Sequence, residues 1–327
     1  MSDLRKSQVF GHWVLVRPRK AVRQWGEVCP FCPGNEALTP SEIAAYRKEG
    51  SQPNGPGWQV RVIPELDPYF RVERELVREG LGMYDRVSPR GASELIIESP
   101  NHEDSLSTMG EERMEQVLRM YRDRLVDLKH DTQIRDILIT RRHQKPGSRL
   151  QHPYSRVTAI PIIFDDIRRE LGEARGYYQY KRRCLFCDII RQELTDGERV
   201  VRLTQHFVVV IPYAARVPLE TRILPRQHHC AFEEISHEAA SDLARVLSGY
   251  FRVLASEFQD PSIEMTLHTA PNLTSKILKG EWATIAADYH WHLDILVQPE
   301  RLHRVGGIFV NEMPPEDAAR RLRESWR

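Results

Sequence analysis

Two short stretches hold the residue types best suited to chemistry: Cys29-Pro30-Phe31-Cys32 and Cys184-Leu185-Phe186-Cys187. A Cys-x-x-Cys turn presents two thiolates from one tight loop, and two histidines can complete the tetrahedral N/S set that zinc favours. For the first pair, His102 and His152 are the candidates. For the second they are His290 and one of the adjacent His228 and His229. Glu170, His268, His290 and His292 make a competing set. One histidine cannot readily serve two separate metals, so these last two sets read as alternatives or as one merged site. A redox role for the cysteine pairs lacks the strand–helix context that such motifs need.

A second kind of chemistry is nucleophilic. A neutral imidazole can attack phosphorus and form a covalent nucleotidyl intermediate. In a strand-borne His-x-His both rings point to one face, so in His290-Trp291-His292 one ring can be held while His292 attacks. The same spacing equally suits a pair of metal ligands. The counterpart His152-Pro153-Tyr154 offers a phenol at the second position. A tyrosine is a nucleophile only when activated, and otherwise packs or hydrogen-bonds. Lys20, Arg23, Arg141, Arg142, Arg149 and Arg156 supply positive charge. If they converge they favour a phosphorylated or other anionic ligand; if not, they form a solvated basic face.

These residues sit within an order of elements that repeats. In the first half, strands are expected near 9–16, 58–63, 94–98 and 136–140, with a helix over 110–129 and a loop over 40–56. A charged helix over 165–180 connects the halves. The second half has expected strands near 199–203, 207–211, 221–224, 263–268 and 290–297, and a helix over 237–258. The two long helices share V-L-x-x-Y-x-x-x-L, from Val117 to Leu125 and from Val246 to Leu254. That match falls within a common series of Cys-x-x-Cys, strand ending in histidine, helix, strand and His-x-(His/Tyr), which argues for duplication. The expected halves are 1–175 and 176–327. The fold class is α+β, with two antiparallel sheets each packed against a long helix.

The chain has 327 residues, a formal charge of +1, 41% hydrophobic and 28% charged residues. This is an ordinary globular composition, and the charge gives no basis for a nucleic-acid or membrane partner. No apolar run reaches the length of a membrane helix, and the N-terminus lacks the apolar core of a signal peptide. The expected location is cytoplasmic. In a reducing compartment the paired cysteines read as metal ligands rather than disulfides.

The motifs together resemble the galactose-1-phosphate uridylyltransferase family, a duplicated branch of the histidine-triad superfamily. The resemblance runs over nearly the whole chain. It rests on Cys29 to Glu36, Glu98 to His102, Gly147 to Pro153, Ile211 to Thr221 and Tyr289 to His292. It implies transfer of a uridylyl group between hexose 1-phosphates through a histidine-linked intermediate, in a homodimer. It also implies zinc on Cys29, Cys32, His102 and His152. A second metal, zinc or iron, is implied on Glu170, His268, His290 and His292; some relatives carry a cysteine pair where Cys184 and Cys187 stand.

The departures cluster at the implied active site. Tyr154 stands where the family has its nucleophilic histidine, and Arg156 where a glutamine contacts the phosphoryl oxygens. Arg149 replaces a serine, Arg141 an asparagine, and Glu65 another asparagine. Lys20 and Arg23 fall at basic, phosphate-facing positions. The glycine-rich stretch that helps hold the sugar phosphate is shortened to Arg304 to Asn311. Two functions follow as expectations. One is nucleotidyl transfer on sugar phosphates, with His292 as an alternative nucleophile. The other is a non-catalytic, regulatory protein that holds an anion or nucleotide in the former pocket.

Overall fold

The computed structural model describes residues 2–18, 28–143, 152–274 and 282–326. The first half contains β1 (Asp3–Lys6), β2 (Trp13–Val16), β3 (Ala44–Arg47), β4 (Trp58–Pro64), β5 (Arg78–Leu81), β6 (Tyr84–Val87), β7 (Ala92–Ile97), α1 (Glu111–Lys129), β8 (Asp136–His143) and β9 (Tyr154–Ile160). Two helices follow, α2 (Asp165–Lys181) and α3 (Leu185–Asp196). The second half then runs through β10 (Val200–Leu203), β11 (Phe207–Val210), β12 (Thr221–Pro225), α4 (His237–Phe258), β13 (Ile263–His268), α5 (Ile285–Asp288) and β14 (His292–Val297). A hairpin, β15 (His303–Val305) and β16 (Ile308–Val310), and α6 (Pro315–Ser325) close the chain.

The halves share one topology. The main sheet has ten strands in the order β10-β11-β12-β14-β13-β8-β9-β7-β4-β3. Read outward from its centre, β8-β9-β7-β4-β3 matches β13-β14-β12-β11-β10. The two expected sheets are therefore joined. The antiparallel pair β8–β13, in register from Ile263 opposite His143 to Leu267 opposite Ile139, makes them one surface. The division expected at 175/176 falls inside α2.

Both long helices lie on one face of this sheet. α4 starts at Ser236, whose side chain accepts from the Ala239 N–H, satisfying one of the free donors of a helix start. Leu243, Leu247, Tyr250, Phe251 and Leu254 recur at helical spacing and are buried. α1 repeats the pattern with Met114, Val117, Leu118, Tyr121, Leu125 and Leu128. Alternate residues of the strands meet them: Ile137, Ile139, Val157, Ala159, Met265, Leu267, Leu293 and Ile295 join the same core, as the period of two requires. Arg124 of α1 donates two 2.8 Å hydrogen bonds to the buried Glu94 of β7. The other face carries smaller apolar clusters, Val208, Val210 and Leu224 against α2 and α3 and Ile63, Leu95 and Ile97 by the first cysteine pair, with polar residues on the remaining positions.

Three expectations change. The strand expected near 9–16 is only β2, because Ser7 to Phe10 form a turn tied by Gly11 N–H to Ser7 O; β1 precedes it. Residues 40–56 are not all loop; β3 pairs with β4 as an edge strand. Cys184 is the residue before α3, a helix without an expected counterpart. β1, β2, β5 and β6 form a separate four-stranded sheet. No described helix is long and apolar enough to cross a membrane.

Gly91 enters β7 with φ +145°, and a Cβ there would lie 2.0 Å from Ala159 O. Gly91→Ala is expected to destabilise the chain by roughly 2–4 kcal/mol. Gly80→Ala, where no atom lies within 4 Å of the added carbon, should stay within about 0.5 kcal/mol. Urea unfolding midpoints compare the two.

Candidate metal and ligand sites

Both cysteine pairs meet histidines brought in from strand ends. Cys29 Sγ lies 3.7 Å from His152 Nδ1, and Cys32 Sγ lies 3.5 Å from His102 Nδ1 and 3.8 Å from His152 Nδ1. A tetrahedral zinc with ordinary Zn–S and Zn–N bonds separates sulfur from nitrogen by about 3.6 Å. His102 follows β7 and His152 precedes β9, so neighbouring strands deliver both rings to the knuckle.

The tautomer is set by a second contact. His152 Nε2 lies 2.7 Å from Ser99 O; a donor is needed there, so Nε2 carries the hydrogen and Nδ1 keeps its lone pair towards the sulfurs. Burial pushes the His152 imidazole down to about 4, which keeps it neutral. Burial, with the adjacent Cys29 thiol, pushes Cys32 up to about 11. A cation is then needed to hold it as thiolate at neutral pH.

The second half repeats this geometry. Cys187 Sγ lies 3.4 Å from His228 Nδ1 and 3.7 Å from His290 Nδ1. His290 Nε2 faces Pro225 O at 2.9 Å and His228 Nε2 faces Ala286 O at 2.9 Å. His228 is thus the histidine aimed at the thiols. His229 instead points out, half exposed, with Nδ1 3.9 Å from Glu234. Cys184, Cys187, His228 and His290 form one group of converging donors.

Glu170, His268, His292 and Asp294 form another, separate group. His290 belongs to the cysteine set, so the competing sets are resolved as neighbours rather than rivals. Asp294 was missed from sequence, although the period-two series His290, His292, Asp294 places it on the same strand face. His268 Nδ1 is 3.0 Å from Glu170 Oε2, His292 Nε2 is 3.6 Å from Oε1, and Tyr289 Oη donates to Oε2 at 3.2 Å. Burial pushes the Glu170 carboxyl up, but the two imidazoles outweigh it and hold it well below the usual range. Burial and the Arg222 charge push His292 down. Arg222 grips both oxygens of Asp294 at 2.6 and 2.7 Å.

Among the described residues, Arg141 does not share a face with Arg142 and Arg156. In β8, Ile137, Ile139 and Arg141 face α1, whereas in β9 that face belongs to Ser155, Val157 and Ala159. Arg141 therefore lies across the sheet from Arg156. It is buried, with Nε 3.2 Å from Glu98, whose carboxylate also accepts from Tyr121 and Ser155. Arg156 donates to Glu65 at 2.8 Å, and exposed Arg142 to Glu264 at 2.6 Å. Lys20, Arg23 and Arg149 lie outside the described residues. Tyr154 is half-buried, packed beside Phe31 with ring centroids 5.8 Å apart at 60°.

These features define a duplicated α+β protein with two Cys-x-x-Cys/histidine donor sets and a carboxylate–histidine set. Residues 170–310 match the family described as "Galactose-1-phosphate uridyl transferase, C-terminal domain". The chain is 26% identical to a galactose-1-phosphate uridylyltransferase of Thermotoga maritima over 99% of each chain. It is 26% identical to an ADP-glucose phosphorylase of Arabidopsis thaliana, covering 98% of this chain and 92% of that one. A solved uridylyltransferase structure superposes with a TM-score of 0.81 at 25% identity, over 99% of this chain and 98% of that one. Over nearly its whole length the chain is similar to galactose-1-phosphate uridylyltransferases.

Arg141→Met would strand the buried Glu98 and should cost roughly 3 kcal/mol. Arg156→Met breaks a pair whose arginine side chain is 35% exposed and should cost less than half as much. Chemical denaturation of both variants checks the order.

Proposed function

We propose that this protein is a zinc-holding member of the family that binds a nucleotide sugar or sugar phosphate without forming a covalent nucleotidyl intermediate at residue 154. The arrangement around Tyr154 carries this reading. A phenol becomes a nucleophile only beside a base or a stabilising cation, and among the described residues the Tyr154 side chain packs on the apolar cluster of Phe31, Ile63, Leu95 and Ile97 rather than against a base. Arg156, at the position that resemblance gives to a phosphoryl-contacting glutamine, is engaged by Glu65. A double displacement needs nucleophile and oxyanion stabiliser together.

His292 is a poor replacement nucleophile. It is fully buried, its Nδ1 faces His290 O at 3.1 Å, and its ring stacks on His268 at 4.6 Å. These contacts favour a ligand-holding role. The ligand class is supported by the relatives, a galactose-1-phosphate uridylyltransferase and an ADP-glucose phosphorylase. Likeness over 99% of each chain to the former also supports a second reading, in which nucleotidyl transfer persists.

Zinc would be held by Cys29, Cys32, His102 and His152, and by Cys184, Cys187, His228 and His290. At each set it would tie a cysteine turn to two strand ends, as a closed four-ligand site does. A homodimer is supported by the exposed Leu81, Met83 and Tyr84 at the β5–β6 turn, apolar side chains that a second copy would cover.

Incubation with UDP-glucose or ADP-glucose carrying a labelled α-phosphate should leave no label on the denatured protein. Label retained by the wild type and lost in Tyr154→Phe would overturn the reading. In metal analysis, Cys29→Ser and Cys184→Ser should each remove one equivalent, and His228→Ala should lower metal content where His229→Ala does not. Light scattering should find a particle of two chains.

A further inference from the structure

We propose that the second cysteine pair exchanges with a small, carboxylate-bearing disulfide, closing to a Cys184–Cys187 disulfide and giving up its metal, while the first pair stays intact. The loss of metal rests on the zinc reading above; the exchange rests on the two cysteines and their surroundings alone.

The two pairs sit differently in the backbone. Cys184 is the residue before the 12-residue α3, and Cys187 lies in its first turn, where Asp188 N–H donates to Cys184 O at 3.2 Å. A cysteine pair opening a helix is the setting of redox-active thiols, and the sequence alone did not show it. The sulfur and nitrogen atoms of Cys184, Cys187, His228 and His290 lie within 4.8 Å of one another, so the two sulfurs are close neighbours. Cys29 and Cys32 instead occupy successive turns, with Cys32 N–H to Cys29 O at 3.4 Å and Asn35 N–H to Cys32 O at 3.1 Å. Only a three-residue helical turn, Glu36–Leu38, follows them.

Access to the second pair is one-sided. Cys184 is buried and Cys187 is not. His228 and His290 approach Cys187 at 3.4 and 3.7 Å. Cys187 also lines a cavity of about 440 Å³, with Ile190, Arg191, Leu194, Gln205 and Arg226. That volume is in the range of small-molecule sites. A solute in it meets Cys187, and Cys184 is left to complete the reaction.

The cavity wall selects by charge. Arg226 donates to Thr204 O at 3.0 Å and to Gln205 O at 3.1 Å, neutral acceptors that do not cancel its charge. Arg191 shares Asp188 with Arg183 and is 65% exposed. Guanidinium groups recognise carboxylates. Hydrogen peroxide, smaller and uncharged, would need neither the space nor the cations. Beside Cys32 stands the carboxylate of Glu103, which repels an anionic disulfide.

The steps balance without a further reactant. The Cys187 thiolate attacks one sulfur of R–S–S–R, forming a mixed disulfide and expelling one RS⁻. The Cys184 thiolate attacks the Cys187 sulfur, forming the protein disulfide and expelling the second RS⁻. Two electrons pass from the pair to the small disulfide. His228 and His290 alone then fall short of a four-ligand site.

Zinc-loaded protein incubated with glutathione disulfide tests this, read by a chromophoric chelator and by peptide mass mapping. One zinc equivalent should be released for each Cys184–Cys187 disulfide formed, with Cys29 and Cys32 unmodified. Arg226→Gln should slow the reaction about tenfold and leave the rate with uncharged bis(2-hydroxyethyl) disulfide unchanged. Cys184→Ser should hold glutathione on Cys187 as the mixed disulfide; the wild-type readings decide if that variant fails to fold. Equal oxidation of both pairs, glutathione on Cys230 alone, or no Cys184–Cys187 disulfide would each overturn the exchange. An Arg226→Gln rate equal to wild type would overturn the ligand assignment. A Cys184–Cys187 disulfide formed with no zinc released would instead sink the zinc reading of that set and leave the exchange standing.

Discussion

The pairing of β8 with β13 is the constraint on which the rest of the molecule depends. Each half brings a five-stranded antiparallel array, and these two strands are where the arrays meet. The pairing puts α1 and α4 on one side and commits that side to a continuous apolar core. It also sets which residues of β13 and β14 are left on the other side. His268, His292 and Asp294 lie there because Leu267, Leu293 and Ile295 are used by the core. The polar chemistry of the second half is the complement of its packing.

The duplicated scaffold also repeats its finer devices. Ser99 O and Pro225 O stand at matching ends of β7 and β12, and each receives a hydrogen bond from the Nε2 of the histidine before the facing strand. These contacts turn the Nδ1 of His152 and of His290 towards sulfur. The halves diverge two residues later. Tyr154 packs against the first knuckle, while His292 reaches across to Glu170. The same strand position thus serves packing in one copy and a polar cluster in the other.

Much of this order was legible in the sequence. α4 and β13 begin and end where periodicity places them, because their apolar spacing is uninterrupted and Ser236 marks the helix start. The first donor set was legible for the same reason, since its cysteines and histidines have no close duplicates. The choice between His228 and His229 was not, because adjacent residues at a loop differ only in backbone direction. Nor was the separation of Arg141 from Arg156. Counting arginines reveals charge, but only the strand alternation and the buried Glu98 decide which side of the sheet each occupies. β3 was hidden because a short edge strand needs only one partner, and its flanks are rich in proline and glycine.

The central pairing also bears on how the chain is made. Ile139 finds its partner only when Leu267 has been synthesised. At ordinary translation rates of about 5–20 residues per second, the outer edge of β8 waits for several seconds or more. An unpaired edge is a template for association with other nascent chains. The end of β8 reads Arg141-Arg142-His143, and charge at an open edge discourages such pairing. The charged end of β8, paired with Glu98, Glu264 and Asp260 in the finished fold, is thus suited to guard the unfinished sheet during its assembly.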